Sequence, residues 1–600
     1  MLNRRWRLAL GAMCASGMMC VSGVVWVGGA SAQTHYTDTQ TTDLNNGDTV
    51  TTTANGTFGP PAHGFAVFAD DKTITLPGNN TLTTSDTGGA GIFVRRSLAG
   101  SDATVNATGT VITTTGNAAW GVRVLNEDTT GTASATLNNV TITTSNAYFG
   151  AIRADAGNGG NVALSITGSS ITSNNGPGIR FFSSGSGVAA IIDTAVTATG
   201  VGISAIDSIV TISGTSKVTT TGDDFATGIS IGAANVTVGN GVIVETRGSR
   251  SDGIGLIGDN APGSVLTAGA ATVTTHGDAS AALIVSGFDG GGLRQSTATL
   301  TDTVFTTTGQ NAAAFFLEER NGTTNIITAN GVTLTTGNAG SHGVVFTGSK
   351  TGTNQVTFDA ASKITTNGPG AHGVSVQHGA TQTLDVAANA GPGVLVLPST
   401  GSNISIQGAG SALVQAQDDG SVLTIEGNGL PAGVSFGADA WGVIAENGGT
   451  VSFTDFATTQ GYSLWARGTT GTGTIAIGGG TTTVNSRVRV DAGGLLDISG
   501  TALGALIASL EGNGGKVNLG DKSLAIQWRH HHHLCRRHRG DRLFRPAGHR
   551  HHHSDGRQHL YRRNDHPPRR DAAVGRRRDH RQHRRQREQH WRHTGLQPLQ

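Results

Sequence analysis

Adjacent carboxylates are the first residues in this chain that could do chemistry. Asp70-Asp71, Asp223-Asp224, Glu318-Glu319 and Asp418-Asp419 form four such pairs. Cleavage of a glycosidic bond requires paired carboxylates at a fixed separation. Neighbouring residues of a strand point to opposite faces, so these pairs suit turns and surfaces better than a shared cleft. A lyase would need acidic and basic side chains stacked on one face, and Lys217, Lys350 and Lys363 are too dispersed for that. His35, His63, His276, His342, His372 and His378 are present, but no Ser stands in the Gly-Asp-Ser-Gly setting of a serine protease nucleophile. His63, His342 and His372 each precede a small residue and an apolar run. That pattern fits a repeated turn position, with a metal-binding histidine ladder as the alternative. Gly290 to Gly292 lacks the Lys and Ser/Thr of a phosphate-binding loop. No catalytic, cofactor-binding or metal-binding residue is assigned, no cofactor is expected, and the chain reads as non-enzymatic.

The elements behind these residues are short and repeated. An apolar-Thr run, a Gly/Asn turn, a small residue and a second apolar run recur through the body. Val111 to Val124, Ile142 to Arg153, Val218 to Ile231, Val304 to Leu317, Leu334 to Phe346 and Ile364 to Val376 are copies. The small residue falls at Gly64, Gly91, Gly121, Gly150, Gly178, Gly202, Gly228, Gly253, Ala282, Ala314, Gly343 and Gly373, at intervals of 24 to 32 residues. Each unit holds two or three strands with β-branched or aromatic residues at alternate positions. One unit cannot bury its apolar face alone, but a stack of them can. The pattern predicts an all-β fold, a right-handed parallel β-helix. A β-propeller or stacked sandwich explains the single drifting period less well. Phe65, Phe93, Trp120, Phe149, Phe181, Phe225, Phe315 and Phe346 occupy similar points of their units. They suggest an interior aromatic stack, or simply scattered core aromatics. Residues 33–401 carry the regular repeat, and residues 402–528 continue it with more Gly; Ala502 to Leu510 is the one modest helical candidate, and reads as well as a strand.

The two ends differ from the body. Arg4, Arg5 and Arg7, an apolar run from Leu8 to Val27 and Ala30-Ser31-Ala32 make residues 1–32 read as a secretion signal, with an uncleaved anchor as the alternative. Cys14, Cys20 and Cys535 leave the body without cysteine. From Arg529 to Gln600 the composition turns to Arg and His. Nearly all of those residues have codons that can begin with C or G, as expected of a GC-rich gene read out of frame. Shifted by one base, His551 to His566 can read TTTLTGANTYTGGTTI. Residues 529–600 are therefore expected to be a disordered, frameshift-derived tail, with a genuine basic tail as the alternative. On the frameshift reading, the runs His530 to His533 and His551 to His553 and the tripeptide Arg539-Gly540-Asp541 carry no function. The body from Gln33 to Trp528 keeps 18 basic residues against 34 acidic ones, which argues against a nucleic-acid partner.

The phrases LDISGT and SLEGNGGKVNLGDKSLAI between Gly494 and Ile526 resemble the C-terminal part of autotransporter passenger domains. The decoded tail resembles the autotransporter-associated β-strand repeat. The resemblance implies a surface-displayed β-helical passenger, delivered by a C-terminal outer-membrane β-barrel translocator. No barrel pattern of alternating ten-residue segments is written in this chain, so the translocator is expected in the other frame downstream. Without it, the product would be periplasmic or secreted. The function expected is that of an exported adhesin or interaction protein with host-surface or neighbouring-cell ligands. A polysaccharide-acting enzyme on the same scaffold and a truncated, non-functional remnant are the alternatives.

Overall fold

In the computed structural model the described residues are 34–36, 39–52, 64–97, 100–145, 148–157, 159–258, 263–287, 295–319, 323–348, 352–385, 393–426, 430–454, 462–479, 483–527 and 532–534. The expected signal, His63, Gly290 to Gly292, Lys350 and nearly all of the Arg/His tail lie outside them.

The described residues form a parallel β-solenoid. Each coil lays down strands on up to three faces. The first face is the most regular. Thr81–Thr84, Val111–Thr114, Thr141–Thr144, Ser170–Ser173 and Ala195–Ala198 stack in parallel without a register slip. Their burial alternates out, in, out, in, as a half-buried strand requires. The second residue of each strand is the core residue: Leu82, Ile112, Ile142, Ile171, Val196, Val218, Val244, Val273, Phe305, Leu334 and Ile364, all essentially inaccessible. Burying one such side chain contributes roughly 2 kcal/mol. The fourth residue, usually Thr, is also buried and closes the corner. Thr246, Thr336 and Thr366 donate their hydroxyls to the carbonyls of Ser251, Ser341 and Ala371. The repeated apolar-Thr-Thr phrase therefore has a distinct task for each residue.

The second face comprises strands such as Trp120–Asn126, Ile152–Ala156 and Ala281–Gly287. The third comprises strands such as Ala103–Thr108, Thr132–Asn138 and Asn161–Thr167. Ile179–Ile192 and Ile203–Ser213 run through both faces and join them into one sheet. The corner leading back to the first face turns on one left-handed residue. In most coils it is Gly109, Asn139, Gly168, Asp193, Gly214, Asp302 or Gly331, with φ between 48° and 65°, and in two others Gly241 at 80° and Ala270 at 24°. Gly, Asn and Asp are the residues that reach this region at least cost.

The small residue opening the second face is in register at Ala66, Gly91, Gly121, Ala151, Gly178, Gly202, Gly228, Gly253, Ala282, Ala314, Gly343 and Gly373. The sequence alignment on Gly64 and Gly150 is thus corrected to Ala66 and Ala151. The requirement is steric. A Cβ at Gly121 would lie 2.2 Å from Ile142 Cγ2, and one at Gly228 would lie 2.4 Å from Val244 Cγ1. Ala66, Ala282 and Ala314 instead precede coils whose core residue is Leu82, Phe305 or Leu334, unbranched at Cβ, whereas Ala151 precedes Ile171 and is the exception.

Three further expectations change. The aromatics do not form one interior stack. Phe181, Phe315 and Phe346 are in the main core, Phe225 is exposed, and Phe65, Phe93, Trp120 and Phe149 form a separate outer cluster. Their spacing along the units is similar, but a one-residue offset sends a strand side chain to the opposite face. The helical candidate at Ala502 to Leu510 is largely strand, Ala505–Glu511. Three residues of the expected disordered tail, His532–Leu534, pair antiparallel with Leu524–Gln527. All other strand pairs among the described residues are parallel. A last coil leaves an unpaired edge, which such a short return strand covers.

Candidate functional site

One outward column of the second face runs nearly the length of the solenoid. Strand register carries it from Phe68 through Phe93, Arg123, Arg153, Arg180, Ser204, Ser230, Gly255, Ile284, Phe316, Val345, Ser375, Gln415, Ile444 and Trp465 to Arg489. Each member is flanked in its own strand by inward residues, as Arg123 is by Val122 and Val124. Arginine and aromatic rings gather at both ends of the column. The middle is small, polar or aliphatic apart from Phe316.

At the N-terminal end, Arg123 lies over the rings of Trp120 at 4.5 Å and Phe93 at 5.2 Å, and Arg153 over Phe149 at 5.1 Å. Trp120 stacks on Phe149, which meets the exposed Tyr148 edge-on. Arg153 bonds Asp155 at 2.5 Å. Among the described residues, Arg123 and Arg180 have no carboxylate in ion-pair contact, and Arg123 Nε has no hydrogen-bond acceptor. Burial lowers the pKa of both guanidiniums, and the neighbouring Arg153 adds to it. They nevertheless remain charged, because a guanidinium does not deprotonate in a protein.

At the C-terminal end every arginine has an acid. Arg467 bonds Glu446 at 2.5 Å, Arg489 bonds Asp491 at 2.8 Å, and Arg487 pairs with Glu511. Trp441 and Trp465 pack 5.0 Å apart beneath them, and Trp465 Nε1 donates to Asp491. Ser375 donates to Gln415, which donates to Glu446.

The sequence candidates fall elsewhere. Asp70 pairs with Arg95, Asp71 accepts from the Ser97 backbone, and Asp223 accepts from the Ser249 backbone. Asp224 pairs with Arg250, Glu318 accepts from Ser286, and Asp418 pairs with His378. Asp71, Asp224 and Asp418 have positive φ and sit in turns. His342 opens a strand, whereas His372 lies in the turn before one. They stack with ring centroids 5.0 Å apart. His342 Nδ1 accepts from the His372 backbone N–H, and His372 Nδ1 from that of Ala412. Burial pushes His342 down to about 4 and holds His372 well below the usual imidazole range, with His342 adding to the latter. This neutral pair acts as a backbone acceptor. His276 lies at another corner beside Thr308 and Glu245. Among the described residues no group of three or more His, Cys, Asp or Glu is placed to hold a metal ion, and no helix is long and apolar enough to cross a membrane.

The arginine column escaped the sequence reading. Its members are separated by 30 and 27 residues, and the coil length drifts, so only strand register aligns them. No known protein family matches the sequence, and no curated protein matches it. A chain in the solved structure described as the Vag8–C1 inhibitor complex is similar over 79% of this chain and 100% of its own, with 16% identity and a TM-score of 0.42. That likeness is too loose to transfer a ligand or an activity.

Proposed function

We propose that this chain is an exported, surface-displayed passenger of the autotransporter class that acts by binding and not by catalysis. The observation that carries the binding reading is the second face, where one column of side chains stays in register over many coils and gathers arginine and aromatic rings. A stacked solenoid offers this kind of extended recognition surface. Most of the candidate carboxylates are held in turns, ion pairs or hydrogen bonds, which favours binding over hydrolysis. The LDISGT and SLEGNGGKVNLGDKSLAI phrases and the expected secretion signal support the passenger assignment. On this reading an outer-membrane barrel is the delivery partner, and the Arg/His tail is a shifted frame. Resequencing across the codons for Gln527 to Arg529 tests the frame.

The direct test is adherence of the purified full-length chain to bacterial and host cells and to matrix proteins. Saturable adherence is expected. Absence of adherence to every surface, or release of reducing or unsaturated sugar ends from a polysaccharide, overturns the reading.

A further inference from the structure

We propose that the N-terminal part of the second face binds an acidic polysaccharide, a linear chain of uronate sugars lying along the solenoid axis over Arg123, Arg153 and Arg180. The proposal deepens the interaction reading above and takes its biological sense from it.

The three guanidiniums occupy one column in consecutive coils, at the interstrand spacing of about 4.8 Å. Asp155 lies in bonding contact with Arg153 alone among the three. Arg123 and Arg180 flank that pair with no acid in ion-pair contact among the described residues. A guanidinium presents a planar fork of donors that matches a carboxylate bidentately. The strip therefore holds unused capacity for two carboxylates on either side of a neutralised rung.

One exposed ring, Tyr148, sets the sugar chemistry, and the buried and partly buried rings beneath it set the guanidiniums. Phe93, Trp120 and Phe149 stack against Arg123 and Arg153 and fix where they point. Tyr148 is 68% exposed beside them. An aromatic face is electron-rich, and the C–H bonds of a pyranose ring pack against such a face.

The spacing selects a glycan over an acidic peptide. Side chains on one side of an extended peptide recur every 6.6 Å or so, out of step with the ladder. A pyranose unit advances by close to one coil height. The remainder of the body, 34 acids against 18 bases, disfavours a polyanion elsewhere on the solenoid and makes its binding sensitive to salt. The arginine-rich tail of the full-length chain is a second polycation, so loss of binding in R123Q/R180Q is what assigns the site.

The test is calorimetry of the full-length chain with an oligogalacturonate hexamer, the same hexamer reduced to neutral galactose units, and a glutamate hexapeptide. Binding of the oligogalacturonate alone is expected, weakened at least tenfold by R123Q/R180Q and unchanged by R467Q. Circular dichroism and melting would confirm that the variants fold. No oligogalacturonate binding, equal binding of the peptide or the neutral sugar, or full retention in folded R123Q/R180Q overturns the proposal. The adherence assay separates the two readings. A chain that adheres to cells without binding the oligogalacturonate loses only the ligand assignment, whereas oligogalacturonate binding without adherence counts against display as an adhesin.

Discussion

The two ends of the second face use the same materials to opposite effect. Both stack arginine on aromatic rings along one outward column. At the C-terminal end Glu446, Asp491 and Glu511 neutralise Arg467, Arg489 and Arg487, and Ser375, Gln415 and Ile444 of the column are buried. At the N-terminal end Arg153 has its acid, but Arg123 and Arg180 have none in ion-pair contact among the described residues. Guanidinium–ring stacking therefore does not by itself mark a binding site. Charge balance distinguishes a face that is closed from one that remains open to an anion.

The largest expected effect breaks the closed end. Glu446→Gln leaves Arg467 without its acid and disturbs Gln415. It should destabilise the last coils by roughly 2–3 kcal/mol, the cost of a broken buried pair reduced for the partial exposure of Arg467. Denaturant unfolding followed by tryptophan fluorescence at Trp441 and Trp465 would measure it.

Acid should reach the same end. His342 and His372 lie just before it and are neutral in the fold. The unfolded pKa is about 6.5, and the folded value for His342 is about 4. Their contribution is complete above pH 6.5 and is lost as pH falls through 4, because protonation favours the unfolded chain. A loss of roughly 2 kcal/mol between pH 7 and pH 4 is expected. The denaturation midpoint followed against pH should show it in the native chain and not in H342N/H372N.

Thr336→Val is a control on the first face, distant from the arginine column. It removes the hydroxyl bond to the Ser341 carbonyl and should cost about 1 kcal/mol in a urea midpoint. The smallest effect belongs to the open end. Arg123→Gln removes a like charge beside Arg153 but also two ring contacts. These losses oppose one another, and the midpoint should move by less than ~1 kcal/mol. A loss of several kcal/mol there would make the two ends alike and erase the comparison.

The sequence made the coil legible because its cause is local. Alternation in apolar-Thr-Thr runs and a left-handed residue at each corner act within a few residues. The arginine column was not legible, because it depends on which residue of one coil stands over which residue of the next. The same limit explains the aromatic residues. Phe93 and Phe181 look equivalent along the chain, yet one faces outward and the other packs in the core. Gly64 and Gly150 misled for a related reason, since Ala66 and Ala151 fill the same steric role a residue or two later.

The glycine-or-alanine choice at the opening of the second face has an evolutionary consequence. Most coils carry at that point a fit to the core residue of the coil that follows. Inserting a copied module with alanine before an isoleucine or valine would crowd the core at most positions, the tolerated pair Ala151 and Ile171 being the exception, and one with glycine before Phe305 or Leu334 would leave a gap. Recombination among these repeats is therefore constrained by neighbour, and the order of modules along the chain is itself heritable information.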